Sequence, residues 1–281
     1  MNPFLTAVLL ESEIEDMKKL LIITIGMWCL TSCTQQEDGV PRMLEVSAEI
    51  APQTVTRTTG STAGASDYDK LAFDDTDEIL ISKNGATAVI YKKGKSTWLP
   101  TNPANSLTTG TTSDVFTASY PTEYTGILEA QNTCSGFWKS KQLTSTGVLN
   151  GNKVTFSFSP AVAKISVVVS YNGAQSSVTA SVAGTAIRGG NDSQTIKLLQ
   201  TGVTNEKRYS FAGIIAPGDR TYTITLVSTD GTKSYEQNTS LTMKAGYNYQ
   251  YTFTSTNELI LTGVTVLPFS DPIEEDSGSA T

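Results

Sequence analysis

No histidine occurs anywhere in this chain of 281 residues. Its absence removes Ser-His-Asp and Cys-His catalysis, His-ligated zinc and every imidazole general base. The chain therefore reads as no enzyme, with no cofactor, no catalytic residue and no metal assigned. Cysteine is nearly as scarce, with three in all, Cys29, Cys33 and Cys134. Positive charge is in deficit, 20 Lys and Arg against 27 Asp and Glu for a net charge of −7, which argues against nucleic acid and against a polybasic membrane clamp. Helical periodicity is also missing: after residue 33 no segment repeats apolar residues at 3.6 over enough length to require a helix.

What the sequence does contain begins near Met17. Lys18 and Lys19 form a basic start, Leu20 to Leu30 is an apolar run too short to span a bilayer, and Leu30-Thr31-Ser32-Cys33 reads as a lipobox. Residues 1–32 are thus expected to be a leader with a lipoprotein signal peptide, cut before Cys33, which takes the acyl chains such as palmitate. Met17 reads as the true start, because Glu11, Glu13, Glu15 and Asp16 put acid where an export signal is basic. With Cys29 removed and Cys33 acylated, only Cys134 remains. No intramolecular disulfide is then available, and stability must come from cores. Cys134 reads as a small, partly buried residue, since nothing activates it as a nucleophile.

Residues 33–42 form an acidic tether carrying Glu37 and Asp38, which fits a solvated linker and equally a surface-export tag. Leu44, Val46, Ala48 and Ile50 then alternate with Glu45, Ser47 and Glu49, the pattern of a half-buried strand. A Thr- and Gly-rich stretch over 56–67 has little to bury, and Arg57 stands at its start. From Asp77 onward the pattern is strand after strand, with Asn84-Gly85, Asn172-Gly173 and Asp230-Gly231 as hairpin signals. Short strands rich in Thr, Val and Tyr predict an all-β chain of two tandem sandwich domains, 43–160 and 161–281, the second ending in a terminal strand and an acidic tail. The segments 100–113 and 121–150 are expected to be exposed insertions.

Other motifs resolve into plainer readings. Gly94-Lys95-Ser96 lacks the first glycine of a phosphate loop, with Val89 in its place, and reads as a hairpin turn. Asp67, Asp69, Asp74, Asp75, Asp77 and Glu78 could gather around calcium, but the EF-hand glycine and terminal glutamate are missing, so a solvated acidic loop is expected. Trp98, Phe137, Trp138 and Tyr124 are the aromatics that could stack on sugar; Trp98 in a strand suits a core, whereas Trp138 in a loop suits a ligand contact.

The order of motifs resembles the fimbrillin family, subunits of type V pili of Gram-negative anaerobes. The matching stretches are FDDTDEILI at 73–81, VFTASYP at 115–121, TFSFSPAVAKI at 155–165, GIIAP at 213–217 and KAGYNYQYTF at 244–253. Thr76 departs from the resemblance where relatives carry Gly, Phe73 where many carry Trp, and Pro160 where His is frequent. The terminal strand ends in Leu267-Pro268-Phe269 rather than a tryptophan.

The resemblance implies transthyretin-like sandwiches and an outer-membrane, cell-surface lipoprotein that assembles with other fimbrial subunits. In such subunits a protease cuts after an arginine, and the removed first strand leaves a groove for a neighbour's strand. Here the removable strand would be Leu44, Val46, Ala48 and Ile50, with Arg57 the cleavage site and Arg42 the alternative. The donor strand would carry Leu259, Leu261, Val264, Val266, Leu267 and Phe269, apolar on both faces. The other reading is a monomeric surface lipoprotein that binds glycan, or a host or bacterial surface ligand, through exposed aromatics.

Overall fold

The structure is a computed structural model that describes residues 42–51 and 70–269. Arg57, Cys33, Asp67, Asp69 and the leader lie outside the described residues, as does the tail beyond Phe269. In chain order the strands are β1 (Arg42–Met43), β2 (Glu45–Ile50), β3 (Glu78–Lys83), β4 (Val89–Lys93), β5 (Trp98–Pro100), β6 (Thr108–Thr109), β7 (Phe116–Tyr120), β8 (Leu143–Thr146), β9 (Val148–Asn150) and β10 (Lys153–Pro160). They continue as β11 (Ala163–Tyr171), β12 (Thr179–Thr185), β13 (Ser193–Lys197), β14 (Leu199–Thr204), β15 (Arg208–Ile215), β16 (Gly218–Ser228), β17 (Gly231–Met243), β18 (Tyr247–Ser255) and β19 (Leu259–Pro268). The chain is β-rich, as its composition predicts.

The strands up to β10 enclose one hydrophobic cluster, which includes Val46, Ile79, Trp98, Phe116, Phe156 and Phe158. Their main sheet runs β2-β5-β4-β3-β7-β8-β10-β9, and β2 also pairs with β10, so the sheet closes on itself. Alternation sets which side faces in. β10 places Val154, Phe156, Phe158 and Pro160 inside and Lys153, Thr155, Ser157 and Ser159 outside.

From β11 on, two sheets face each other across a second cluster. One runs β14-β15-β11-β18-β19 and the other β13-β12-β16-β17. β11 lies in the middle of its sheet and buries nearly every residue, which is why AKISVVVSY reads as a continuous apolar run rather than an alternating one. It pairs parallel with β18 and antiparallel with β15. Buried tyrosines keep their hydroxyls bonded, Tyr222 to Tyr251 at 2.6 Å, as burial of a polar group requires.

The three turn signals meet different fates. Asn84 and Gly85 take φ of 51° and 74° between β3 and β4, the pair of left-handed residues a tight hairpin needs. Asp230-Gly231 sits at the tip of the β16–β17 hairpin, where Gly231 alone has positive φ. Asn172-Gly173 forms no hairpin. The chain there crosses from β11 in one sheet to β12 in the other. Gln175 fixes the crossing: its N–H donates to Glu206 O at 2.7 Å, its side-chain amide to Asp230 Oδ2 at 2.7 Å, and its carbonyl accepts from the Tyr209 hydroxyl.

The segment 121–150 is not the exposed insertion its polarity suggests. It holds a short helix, α1 (Cys134–Ser140), besides β8 and β9. Thr133 caps α1 by accepting from the Gly136 N–H at 3.1 Å. Two of its polar residues, Gln131 and Ser140, are buried because they have backbone partners there. The buried Gln131 side chain accepts from Ile214 N–H at 2.6 Å and donates to Ile214 O at 2.9 Å, as a neighbouring strand would. Ile127 and Phe137 join the second cluster, although they precede β10 in the chain. A Cβ on Gly136 would stand 2.0 Å from Ala130 O, so only glycine lets α1 lie this close to the strap before it.

Candidate functional site

The candidate site is the seat of β2. Its six residues pair in parallel with Lys153–Phe158 of β10, from Glu45↔Lys153 to Ile50↔Phe158. On the other side only Val46↔Trp98 joins it to β5. Leu44 and Val46 are buried in the first cluster, and Ala48 and Ile50 pack against it partly exposed. Without β2 the closed sheet would have a gap between β5 and β10, lined by the unpaired edge of β10 and the apolar interior. Arg42, at the start of β1, is exposed, and β1 pairs with β6 (Arg42↔Thr109).

The segment between β2 and β3 returns at Lys70, whose ammonium is 2.9 Å from Asp74 and 2.7 Å from Asp77. Burial works against its charge, but the bonds to Asp77 and Asp74 outweigh that and raise its pKa above the ordinary lysine value. Lys93 pairs with Asp75 at 3.0 Å and Lys92 with Glu78 at 3.5 Å. The acidic run 74–78 is thus neutralised by lysines. Among the described residues no group of three or more His, Cys, Asp or Glu is placed to hold a metal. Gly94-Lys95-Ser96 is the β4–β5 turn, closed by Gly94 N–H to Thr97 O at 2.8 Å.

Among the described residues β19 is an edge strand, paired only with β18, from Ser255↔Leu259 to Tyr247↔Pro268, with an irregularity at Thr262. Leu259 and Leu261 pack partly buried against the second cluster and Leu267 is half-buried, while Ile260, Val264 and Val266 are exposed. Phe269, the next residue after the strand, is fully buried.

The aromatics divide differently from expectation. Phe137 is fully buried and so presents no face to a sugar, because α1 turns it into the second cluster. Trp138 is half-buried beneath the Lys141 ammonium at 5.7 Å, and Tyr124 is half-buried as well. Trp98 is a core residue, edge-on to Phe73 at 5.3 Å. Cys134 is exposed at the start of α1, not partly buried, because it lies on the side of the helix opposite its buried members Gly136, Phe137 and Ser140. The Lys141–Phe269 contact, with Lys141 Nζ also donating to Lys70 O at 3.5 Å, had no signal in the sequence, where the three residues lie far apart.

No family model matches the chain, and no curated protein matches its sequence. Solved structures do share its fold. A candidate cell adhesion protein from Bacteroides ovatus is similar with a TM-score of 0.58 at 16% identity, over 82% of this chain and 98% of that one. A second, from Bacteroides uniformis, gives 0.53 at 15% identity over 82% and 99%. This chain has the fold of those two Bacteroides proteins along nearly their whole length.

Proposed function

We propose that this chain is a non-catalytic surface subunit of a fimbria, carried to the outer membrane as a lipoprotein acylated at Cys33 and assembled by strand exchange once its first strand is removed. The observation that carries the reading is the placement of β2. A short strand closes a sheet through one parallel ladder and a single residue pair, and it is followed by the stretch that contains Arg57. Main-chain hydrogen bonding at the vacated edge of β10 would attach an incoming strand, and the alternating pockets left by Val46, Ala48 and Ile50 would set its register. The apolar β19, lying at an edge with Ile260, Val264 and Val266 exposed, supports a donor role for the terminal strand. The fold shared with candidate adhesion proteins supports a surface setting.

Arginine-specific proteolysis tests the reading. The expected product begins at Thr58, loses β2 and forms oligomers that persist in mild denaturant, while Arg57→Ala keeps β2 and stays monomeric. A trimmed chain that remains monomeric at high concentration refutes strand exchange.

A further inference from the structure

β19 carries exposed apolar side chains along its length and yet leads into one of the most enclosed residues of the chain. Val264 and Val266 are 45% and 52% exposed, and Phe269 is 0% exposed. The Phe269 ring centroid lies 5.1 Å from Lys141 Nζ and 5.1 Å from Lys164 Nζ. Both lysines are themselves buried, at 3% and 0% exposure, which is rare for this residue type. Lys164 comes from β11, in the middle of the five-stranded sheet, and Lys141 from the residue that ends α1. The Phe269 backbone is held as well: its N–H donates to Gly246 O at 3.1 Å, and the Gly246 N–H donates to Val162 O at 2.9 Å.

An aromatic ring attracts cations through the negative potential of its face, and the attraction grows where water is excluded. An aliphatic side chain of similar size would fill the space without offering that face. Two buried ammonium groups beside one ring therefore discriminate by chemistry, not merely by shape. The rest of the strand is held by its ladder to β18. That ladder slips at Thr262, where Thr262 Oγ1 donates to Thr252 O at 3.0 Å in place of regular pairing.

We infer that Lys141 and Lys164 form a recognition site for an aromatic side chain at the end of an extended strand, and that Phe269 occupies it to retain β19. The site stands apart from the exchange reading, because it selects an aromatic whether or not β19 ever leaves. A second copy of the chain would offer the same ligand, an apolar strand with a terminal aromatic.

Amide hydrogen exchange on the full chain, in a cycle of Phe269→Leu, Lys141→Met and the double variant, tests the site. Each single change is expected to speed exchange across β19 about tenfold while β15 stays at its wild-type rate, and the double variant is expected to be no faster than either single one. Effects that multiply in the double variant, or wild-type protection in Phe269→Leu, overturn the inference. So does equal acceleration of β15, which would mark a general loss of core packing. Lys141→Met alone, compared with wild type, keeps the test available if Phe269→Leu does not fold: unchanged β19 exchange there also overturns it.

Discussion

Val46 stands between Trp98 and Val154, the register partner of the first across an antiparallel pair and of the second across a parallel one. It is the point at which the first sheet closes. Val46→Ala would remove two methyl groups from the buried seam and is expected to cost about 2 kcal/mol. Urea denaturation measures the loss, and it should exceed that of Val148→Ala, whose side chain is exposed.

Thr76 takes a φ of 84° just ahead of β3, with its N–H donating to Lys93 O at 2.9 Å. A β-branched side chain in this region is strained, whereas glycine adopts it freely. Thr76→Gly is expected to stabilise the chain by about 1 kcal/mol after the added entropy of the unfolded glycine is subtracted. A rise in thermal midpoint checks it; a fall would mean that the threonine makes a contact worth more than the strain.

Asp114 accepts from Lys83 Nζ at 2.8 Å, from Gly110 N–H at 2.7 Å and from Thr111 N–H at 3.1 Å. The Lys83 bond, followed by the backbone donors, holds its carboxyl well below the ordinary value of 3.8. A depressed carboxylate contributes stability that is complete above its unfolded pKa and is lost as pH falls through the folded one. Asp114→Asn is therefore expected to lower stability at neutral pH and to flatten the decline below pH 3.8. Denaturation midpoints of both proteins should converge as the pH drops. Tyr222 sets the opposite limb. Burial, with Tyr251 beside it, pushes its hydroxyl far up, so stability should fall as pH rises beyond the ordinary tyrosine value of 10.0, and Tyr222→Phe should soften that fall.

Local signals carried the strands and the β3–β4 turn, because alternation and Asn84-Gly85 act within a few residues. They could not carry partnership across sheets. Asn172-Gly173 has the same composition as a hairpin turn, yet the strands around it go to different sheets, a choice made by the burial of β11 between β15 and β18. α1 was illegible for another reason: seven residues are too few for a period, and its buried members include Gly136 and Ser140, which no hydrophobic pattern marks. The alternation of Leu44, Val46, Ala48 and Ile50 was readable, while its parallel pairing with residues more than a hundred positions away was not. Phe269 reads as an apolar end to a strand, and its two lysines become visible only when β11, α1 and the terminus meet.

The parallel run of β2 beside β10 also has a mechanical meaning. β10 leads through Pro160 directly into β11, so tension that enters at Arg42 and leaves through β11 passes across six registered pairs lying side by side. Two parallel strands pulled from opposite ends slide along one another, and their hydrogen bonds resist together instead of parting one at a time. The same ladder that a protease could discard by cutting the chain is thus in its strongest orientation against a pull.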